Sequence, residues 1–338
     1  RARRALLLEA CHVAASGGAS ERAERLVEAA TTGDAIDDPY LHGWVELARA
    51  YVAYFRGGWR AAFEGAEAAD ALFSANCANV VWERNTVHAL SHWAQVQLGS
   101  LKTLGQMLPA RLHEAQLQGH LYAVWALPAT ISVIHWIGRD DVAGGRAAVD
   151  RISERWSLRG YQIQHWNEMA SNALLDIYAG DHQAARKRLE AGWGPMSRSL
   201  LTKIQVVRFE VHELHARSAI AAAVASSGTE RERLLKIAEQ HTEKLGREDL
   251  AWTAAITTLR RAGIRDARKD AEGAVREFRA AIIATDAANL GLHAAAARVR
   301  LGGVLGGDEG GALREAGLAA LRAEEVKNPE ALVALYAP

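Results

Sequence analysis

Apolar side chains recur at helical spacing along the chain. In one stretch, five of them fall at positions i, i+3, i+4, i+7 and i+11, namely Trp44, Leu47, Ala48, Tyr51 and Phe55. This spacing places them on a single face of an α-helix. The alternation of β-branched and polar residues that indicates a strand does not occur in the sequence. The pattern therefore predicts an all-α protein.

A turn signal interrupts the apolar stretches about every 41 residues, a period typical of stacked helical hairpins. The signals lie at Gly17-Gly18, Gly57-Gly58, Gly99, Gly138, Gly180, Ser227-Gly228, Lys269-Asp270 and Gly306-Gly307. An apolar helical stretch precedes and follows each signal, so that one unit is one hairpin. Because such units bury their apolar faces only by stacking, we expect a right-handed α-solenoid of about eight hairpins that forms a single domain over residues 1–338.

Several positions are expected to disturb the regularity of the array. Pro109 and Pro128 lie inside apolar stretches, where a missing N–H and a ring clash predict a kink or an early helix end, so the third and fourth units should be the least regular. The stretches 192–195 and 302–311 are rich in glycine and are interpreted as turns between helices. Lys269-Asp270, the one signal without glycine, is where we expect an altered packing angle.

Charge and cysteine content exclude several classes of protein. The 40 basic residues balance 40 acidic ones, which argues against nucleic acid as a partner, because binding to many phosphates requires a basic surface. Only Cys11 and Cys77 are present, which gives no disulfide framework and fits a reducing cytoplasm. No apolar run is long enough to span a bilayer, so we expect no membrane insertion.

A search for the common catalytic patterns finds none that is complete. The chain has no glycine-rich loop ending in Lys-Ser/Thr and no Gly-x-Ser-x-Gly elbow. His88 with His92, and His212 with His215, have helical spacing that suits a shared metal ion. However, His212-Glu213-Leu214-His215 is one residue shorter than the His-Glu-x-x-His motif of metalloproteases, and no third ligand can be identified. We therefore expect no catalytic residue, no cofactor and no metal, and interpret these histidines as surface or packing residues.

Two polar stripes are the candidate binding residues. Each stripe occupies positions i, i+3, i+7 and i+10 of the first helix in a hairpin; the stripes consist of Asn85, His88, His92 and Gln95, and of Gln205, Arg208, His212 and His215. First helices of hairpin arrays tend to line the concave surface, so the stripes predict a groove for a protein or peptide partner. The alternative is a solvated face, although faces of that kind usually contain more Lys and Glu.

The hairpins resemble tetratricopeptide-type repeats, with a period longer than the roughly 34 residues of that family. A narrower resemblance rests on several segments, namely Phe55-Arg56-Gly57-Gly58-Trp59, Ala66–Phe73, Trp82–Thr86, Arg198–Leu201, Ala295–Gly302 and Asn328-Pro329. Together these look like the long C-terminal repeat region of bacterial serine/threonine protein kinases of the eukaryotic-like type. The similarity spans most of the chain.

This resemblance implies that the chain is a non-catalytic interaction or sensing scaffold in the bacterial cytoplasm. The kinase domain, with its His-Arg-Asp and Asp-Phe-Gly motifs, is expected upstream of Arg1, since the chain begins without Met and contains neither motif. Related helical repeats also follow nucleotide-binding switch domains in bacterial transcriptional or defence regulators. The alternative function is therefore a ligand-sensing arm of such a switch, with a small molecule bound between helices.

Overall fold

The computed structural model describes residues 2–17, 20–32, 37–120, 123, 133–153 and 160–338, and these residues form helices and short connections without any β-strand. The expected all-α class is confirmed. The helices of the first four units are α1 (Ala2–Ser16), α2 (Ser20–Thr31), α3 (Pro39–Arg56), α4 (Trp59–Asn76), α5 (Val81–Leu98), α6 (Leu101–Leu117), α7 (Val133–Gly138) and α8 (Val142–Ser153).

The remaining units continue the same arrangement. Their helices are α9 (Ile163–Tyr178), α10 (His182–Arg198), α11 (Gln205–Val224), α12 (Gly228–Leu245), α13 (Ala251–Ala267), α14 (Ala271–Ala287), α15 (Gly291–Leu305), α16 (Gly307–Ala323) and the final short helix α17 (Pro329–Tyr336); a 3₁₀ turn covers Leu200–Lys203. The helices pack in consecutive pairs, from α1 with α2 to α15 with α16, and α17 packs on α15 and α9. These consecutive pairs agree with a helical-repeat architecture.

Most of the expected turns contain one residue in the left-handed region. Gly57, Gly99 and Gly180 have φ of 88°, 79° and 81°, a region that glycine enters without the steric cost of a Cβ atom. In the fourth unit this residue is Asp140 rather than Gly138, which ends α7. At the glycine-free turn, Lys269 itself adopts φ of 65°, and the Asp270 carboxylate caps α14 by accepting from the Gly273 amide at 2.9 Å.

Four expectations about irregular segments can be compared with the structure or lie outside it. Helix α6 continues through Pro109 to Leu117 and so does not end early at this proline, and α10 runs through residues 192–195, where we expected a turn. In the stretch 302–311, the turn is confined to Gly306, because α15 extends to Leu305 and α16 begins at Gly307. Tertiary packing thus maintains helices that local propensity disfavours. Pro128 lies outside the described residues.

The array coils so tightly that its early turns contact its late units. Gly17 lies against Gln205 at the start of α11, Gly57 against Trp252 in α13, and Gly99 against Gly291 at the start of α15. The fourth turn follows the same rule, since the Lys327 amide, just before α17, donates to the Gly138 carbonyl at 2.8 Å. Each of these turns therefore meets the beginning of the unit five places further along the chain.

Aromatic packing and hydrogen bonds reinforce this closure. The Trp59 indole N–H donates to the Ala288 carbonyl at 3.0 Å, and the Trp59 and Trp252 rings meet edge to face at 5.5 Å. Separately, residues 216–223 of α11 and 292–297 of α15 are all buried. These stretches of α11 and α15 are therefore surrounded by protein on every side, including at Arg217 and His293.

Candidate functional site

The first polar stripe does not share one environment along α5. Asn85 and His88, near the start of the helix, line a cavity, whereas His92 and Gln95 are buried in the interior. Neither ring nitrogen of His92 has a hydrogen-bond partner among the described residues, and burial together with the nearby Arg111 holds its pKa well below the usual range. Gln95 donates from Nε2 to the Met107 sulfur at 3.0 Å.

The cavity lies where the end of α4, the start of α5 and the end of α6 meet, and its volume is about 290 Å³. Arg84, Asn85 and His88 face the cavity from one side of α5. Arg111 and Glu114 face it from one side of α6, and Gln118 faces it from the position just after that helix. Its polar lining consists of Ser74, Asn79, Arg84, Asn85, His88, Arg111, Glu114, Gln118 and His120. Phe73, Val80 and Ala115 supply an apolar part of the wall.

Arg84 is the central charge of this cavity. Its guanidinium donates to both carboxylate oxygens of Glu114, at 2.5 and 3.2 Å, and to Asp70 Oδ1 at 2.8 Å. His88 Nε2 lies 3.1 Å from the same Asp70 oxygen. Burial alone raises the pKa of Asp70, but the nearby His88 ring and the hydrogen bond from Arg84 outweigh it and hold that pKa well below its ordinary value.

The second cavity arginine is also paired. Arg111 donates to Glu67 Oε1 at 2.6 Å and to Ser91 Oγ at 3.1 Å, and Ser91 donates to the same carboxylate at 2.7 Å. The two arginines therefore face three carboxylates, those of Asp70, Glu114 and Glu67. Since both guanidinium groups already pair with carboxylates, neither offers an unpaired positive charge to a phosphate group.

The second stripe, on α11, forms a separate site with α10 and α12. Gln205 is buried against Gly17, and its Nε2 donates to Glu248 at 3.0 Å. Arg208 donates to the same carboxylate from Nε at 2.5 Å and from Nη2 at 2.9 Å. Gln205 and Arg208, which make up half of this stripe, therefore both bind Glu248. His212 and His215 form the other half.

His212 and His215 meet a third histidine, His241, which comes from α12. The Nδ1 atoms of His212 and His241 are 3.1 Å apart, and the rings of His215 and His241 are stacked at 4.5 Å and 3°. Trp193 of α10 borders all three rings. Burial lowers the pKa of His212 and His215 to about 4 and that of His241 to about 3, so that all three rings are neutral at pH 7.

Sequence reasoning placed four residues in each stripe but missed their partners. Arg111 and Glu114 follow Leu108 on α6 at i+3 and i+6, a signal that becomes visible only when α5 and α6 are placed side by side. His241 has no such signal, because it is 29 positions from His212. Glu213, between the two stripe histidines, turns away from them and pairs with Arg217 at 2.8 Å.

The described residues contain neither a cluster of three metal ligands nor a helix that could span a membrane. No three side chains of His, Cys, Asp or Glu converge on a common point where they could hold a metal ion. None of the described helices has the combination of length and apolar character that a bilayer crossing requires.

Comparison with known proteins adds no relationship. No family model matches the chain, and no curated protein is significantly similar to it. The geometry of the cavity and of the histidine cluster is therefore the basis for any functional statement.

Proposed function

We propose that this chain is the non-catalytic recognition domain of a larger signalling protein, and that a small polar ligand binds in the cavity between α4, α5 and α6. The single observation that carries the proposal is that cavity. Its volume of about 290 Å³ is close to the lower end of known ligand sites. Two residues of the first stripe, Asn85 and His88, are in its wall.

The lining restricts the chemistry of the ligand. Asn79, Asn85 and His120 line the cavity, and amide and imidazole groups both donate and accept hydrogen bonds. Arg84 and Arg111 already pair with carboxylates, so a strongly anionic ligand would have to displace Glu114 or Glu67. A neutral or zwitterionic molecule with several hydrogen-bonding groups and one apolar edge matches this wall.

The parent protein is a proposal drawn from the resemblance of the repeats. We favour a cytoplasmic serine/threonine kinase whose tethered catalytic domain responds to occupancy of the repeat region. The alternative is a transcriptional or defence regulator driven by a nucleotide-binding switch domain. A kinase catalytic loop in the sequence upstream of Arg1 would support the former, and a phosphate-binding loop there would support the latter.

A protein partner is a second candidate, and one observation favours it. Trp82 is 60% exposed and Leu117 is 76% exposed, and both lie at the end of the α5–α6 hairpin that also contributes Arg84 and Glu114 to the cavity. Exposed large apolar residues beside a polar cavity are typical of recognition surfaces. A peptide would then place a polar side chain in the cavity and an apolar one on Trp82.

The ligand proposal is testable through Cys77, which lines the cavity. Iodoacetamide should alkylate Cys77 faster than Cys11, because burial raises the pKa of Cys11 to about 12 and keeps its thiol protonated. We expect at least one compound from a panel of amino acids, nucleosides and neutral dipeptides to slow the alkylation of Cys77 severalfold while leaving the rate at Cys11 unchanged. Mass spectrometry of the two peptides measures both rates.

Two variants provide the matched comparison. The double substitution of Asn85→Ala with His88→Ala should abolish the protection of Cys77. Gln116→Ala, an exposed change on α6 outside the cavity wall, should retain it. If the double variant is protected as well as the wild type, the ligand does not contact the predicted stripe and the proposed site is wrong.

A further inference from the structure

The histidine cluster contains a close contact between two imidazole nitrogens. His212 on α11 and His241 on α12 approach each other through the same ring atom, with 3.1 Å between their Nδ1 atoms. Both residues are partly exposed. The two helices form one hairpin, which fixes the spacing of the two histidines.

We propose that this pair is a chelating site for a divalent late transition-metal ion, with Nδ1 of His212 and Nδ1 of His241 as the two protein ligands. Imidazole nitrogen suits Cu²⁺, Ni²⁺ and Zn²⁺, at metal–nitrogen distances of about 2.0–2.1 Å. Two such bonds that subtend an angle of about 100° separate their nitrogens by about 3.1 Å. The observed separation corresponds to a nitrogen–metal–nitrogen angle that lies between the cis angle of a square or octahedral site and the tetrahedral angle.

The protonation states are compatible with binding. In a contact between two neutral imidazoles, one Nδ1 carries the proton and the other accepts it. When the metal binds, the donor ring carries its proton on Nε2 instead, so both rings remain neutral and no net proton is released.

The neighbouring rings hold the two ligands in place. His215 is stacked on His241 at 4.5 Å, and a metal bound to His241 lies in the plane of that ring, so His215 orients the ring and is not itself a ligand. The Trp193 ring contacts His212 at 5.9 Å and His241 at 6.2 Å. Such supporting contacts increase metal affinity by reducing the motion of the ligands. Water completes the coordination.

The charges around the two histidines affect how strongly a cation binds there. Lys244, Arg208, Arg247 and Arg186 disfavour a cation, and Glu248 favours one. Arg208 is neutralised by Glu248 through two hydrogen bonds. Because hard cations such as Mg²⁺ require oxygen ligands, the site should discriminate against them and should follow the order Cu²⁺ over Ni²⁺ and Zn²⁺.

Calorimetric titration of the metal-free full chain with Cu²⁺, and separately with Zn²⁺, tests the proposal. We expect one saturable site that is tighter for Cu²⁺. His212→Ala and His241→Ala should each weaken it more than tenfold, while His215→Ala should change it by no more than a few fold. His113→Ala removes an exposed histidine on α6 and controls for adventitious binding.

A spectroscopic measurement keeps the test valid if an alanine variant fails to fold. The electron paramagnetic resonance spectrum of the wild-type Cu²⁺ complex should show hyperfine coupling to two nitrogens, and circular dichroism reports the helical content of each variant. Three results would each overturn the two-histidine chelate. The first is binding that survives both ligand substitutions, and the second is a spectrum without nitrogen coupling. The third is a loss of affinity at His215→Ala as large as that at His241→Ala. The cavity variants leave this readout unaffected, so the two proposals fail independently.

Discussion

Glu210 shows how a single partly buried carboxyl group can make stability depend on pH. It lies on α11, and the Trp166 indole N–H donates to its Oε2 at 3.3 Å. Burial raises its pKa to about 7, with a further contribution from the charge of Glu213, and the hydrogen bond from Trp166 only partly offsets this. An ordinary glutamate in the unfolded chain has a pKa of about 4.3.

This difference fixes the sign of the pH effect. Between the unfolded and folded pKa values the native state holds a proton that the unfolded state has lost, so stability falls as pH rises from about 4.5 to 7. Glu210→Gln keeps an acceptor for Trp166 and has no charge to bury. We expect the variant to be about 2–3 kcal/mol more stable than the wild type at pH 8 and equally stable at pH 4.

Urea unfolding of both proteins at pH 4, 6 and 8 measures this effect. Glu309→Gln, at an exposed position of α16, is the control for changing a glutamate in general. An advantage of Glu210→Gln that is the same at all three pH values would show that the carboxyl group is not the titrating group.

At the scale of the helical element, glycine has two separable roles in the turns. Gly57 and Gly180 have nearly the same conformation, with φ of 88° and 81°. A Cβ atom at Gly57 would lie 2.6 Å from Trp252 Cδ1, whereas nothing lies within 4 Å of one at Gly180. The first position therefore combines backbone conformation with close packing, and the second requires the conformation alone.

A matched pair of substitutions separates the two roles. Gly180→Ala should cost about 1–2 kcal/mol of unfolding free energy, the cost of the left-handed conformation. Gly57→Ala should cost about 1–3 kcal/mol more, because Trp252 must move in a packed core. Equal losses in chemical denaturation would mean that the contact between the second turn and α13 contributes nothing to stability.

At the scale of the whole molecule, Arg260 connects three distant helices. It is 1% exposed on α13, donates to the Tyr336 carbonyl of α17 at 2.6 Å, and lies 3.2 Å from Glu213 of α11. Arg217 lies over the Tyr336 ring at 5.1 Å. Helix α17 thus covers the buried pair of Arg260 and Glu213 and accepts a hydrogen bond from Arg260.

Removal of this arginine should affect stability far more than removal of a surface one. We expect Arg260→Ala to lower the unfolding free energy by about 3–5 kcal/mol, because it deprives the buried Glu213 and the Tyr336 carbonyl of a partner. Arg279→Ala, which breaks the exposed pair with Glu309, should cost less than about 1 kcal/mol. Thermal unfolding of the two variants compares them, and similar costs would contradict the role given to Arg260.

The sequence by itself determined the local features of this protein. The spacing of Trp44, Leu47 and Phe55 is a property of one helix with 3.6 residues per turn, and the left-handed conformation of Gly57 is a property of one turn. Such features are encoded within a few residues and therefore predicted the all-α class and the consecutive hairpins. The stretch 192–195 was wrongly predicted as a turn, because packing outweighed local propensity.

Only the tertiary structure decided what the polar stripes face. Contacts between units five places apart determine how the array coils, and no local pattern encodes them. Packing between neighbouring helices buries His92 and Gln95, places Asn85 and His88 in a cavity with Arg111 of the next helix, and leaves His212 facing His241 across a hairpin. The binding geometry therefore arises between side chains on different helices, and the periodicity of a single helix does not encode which side chains meet.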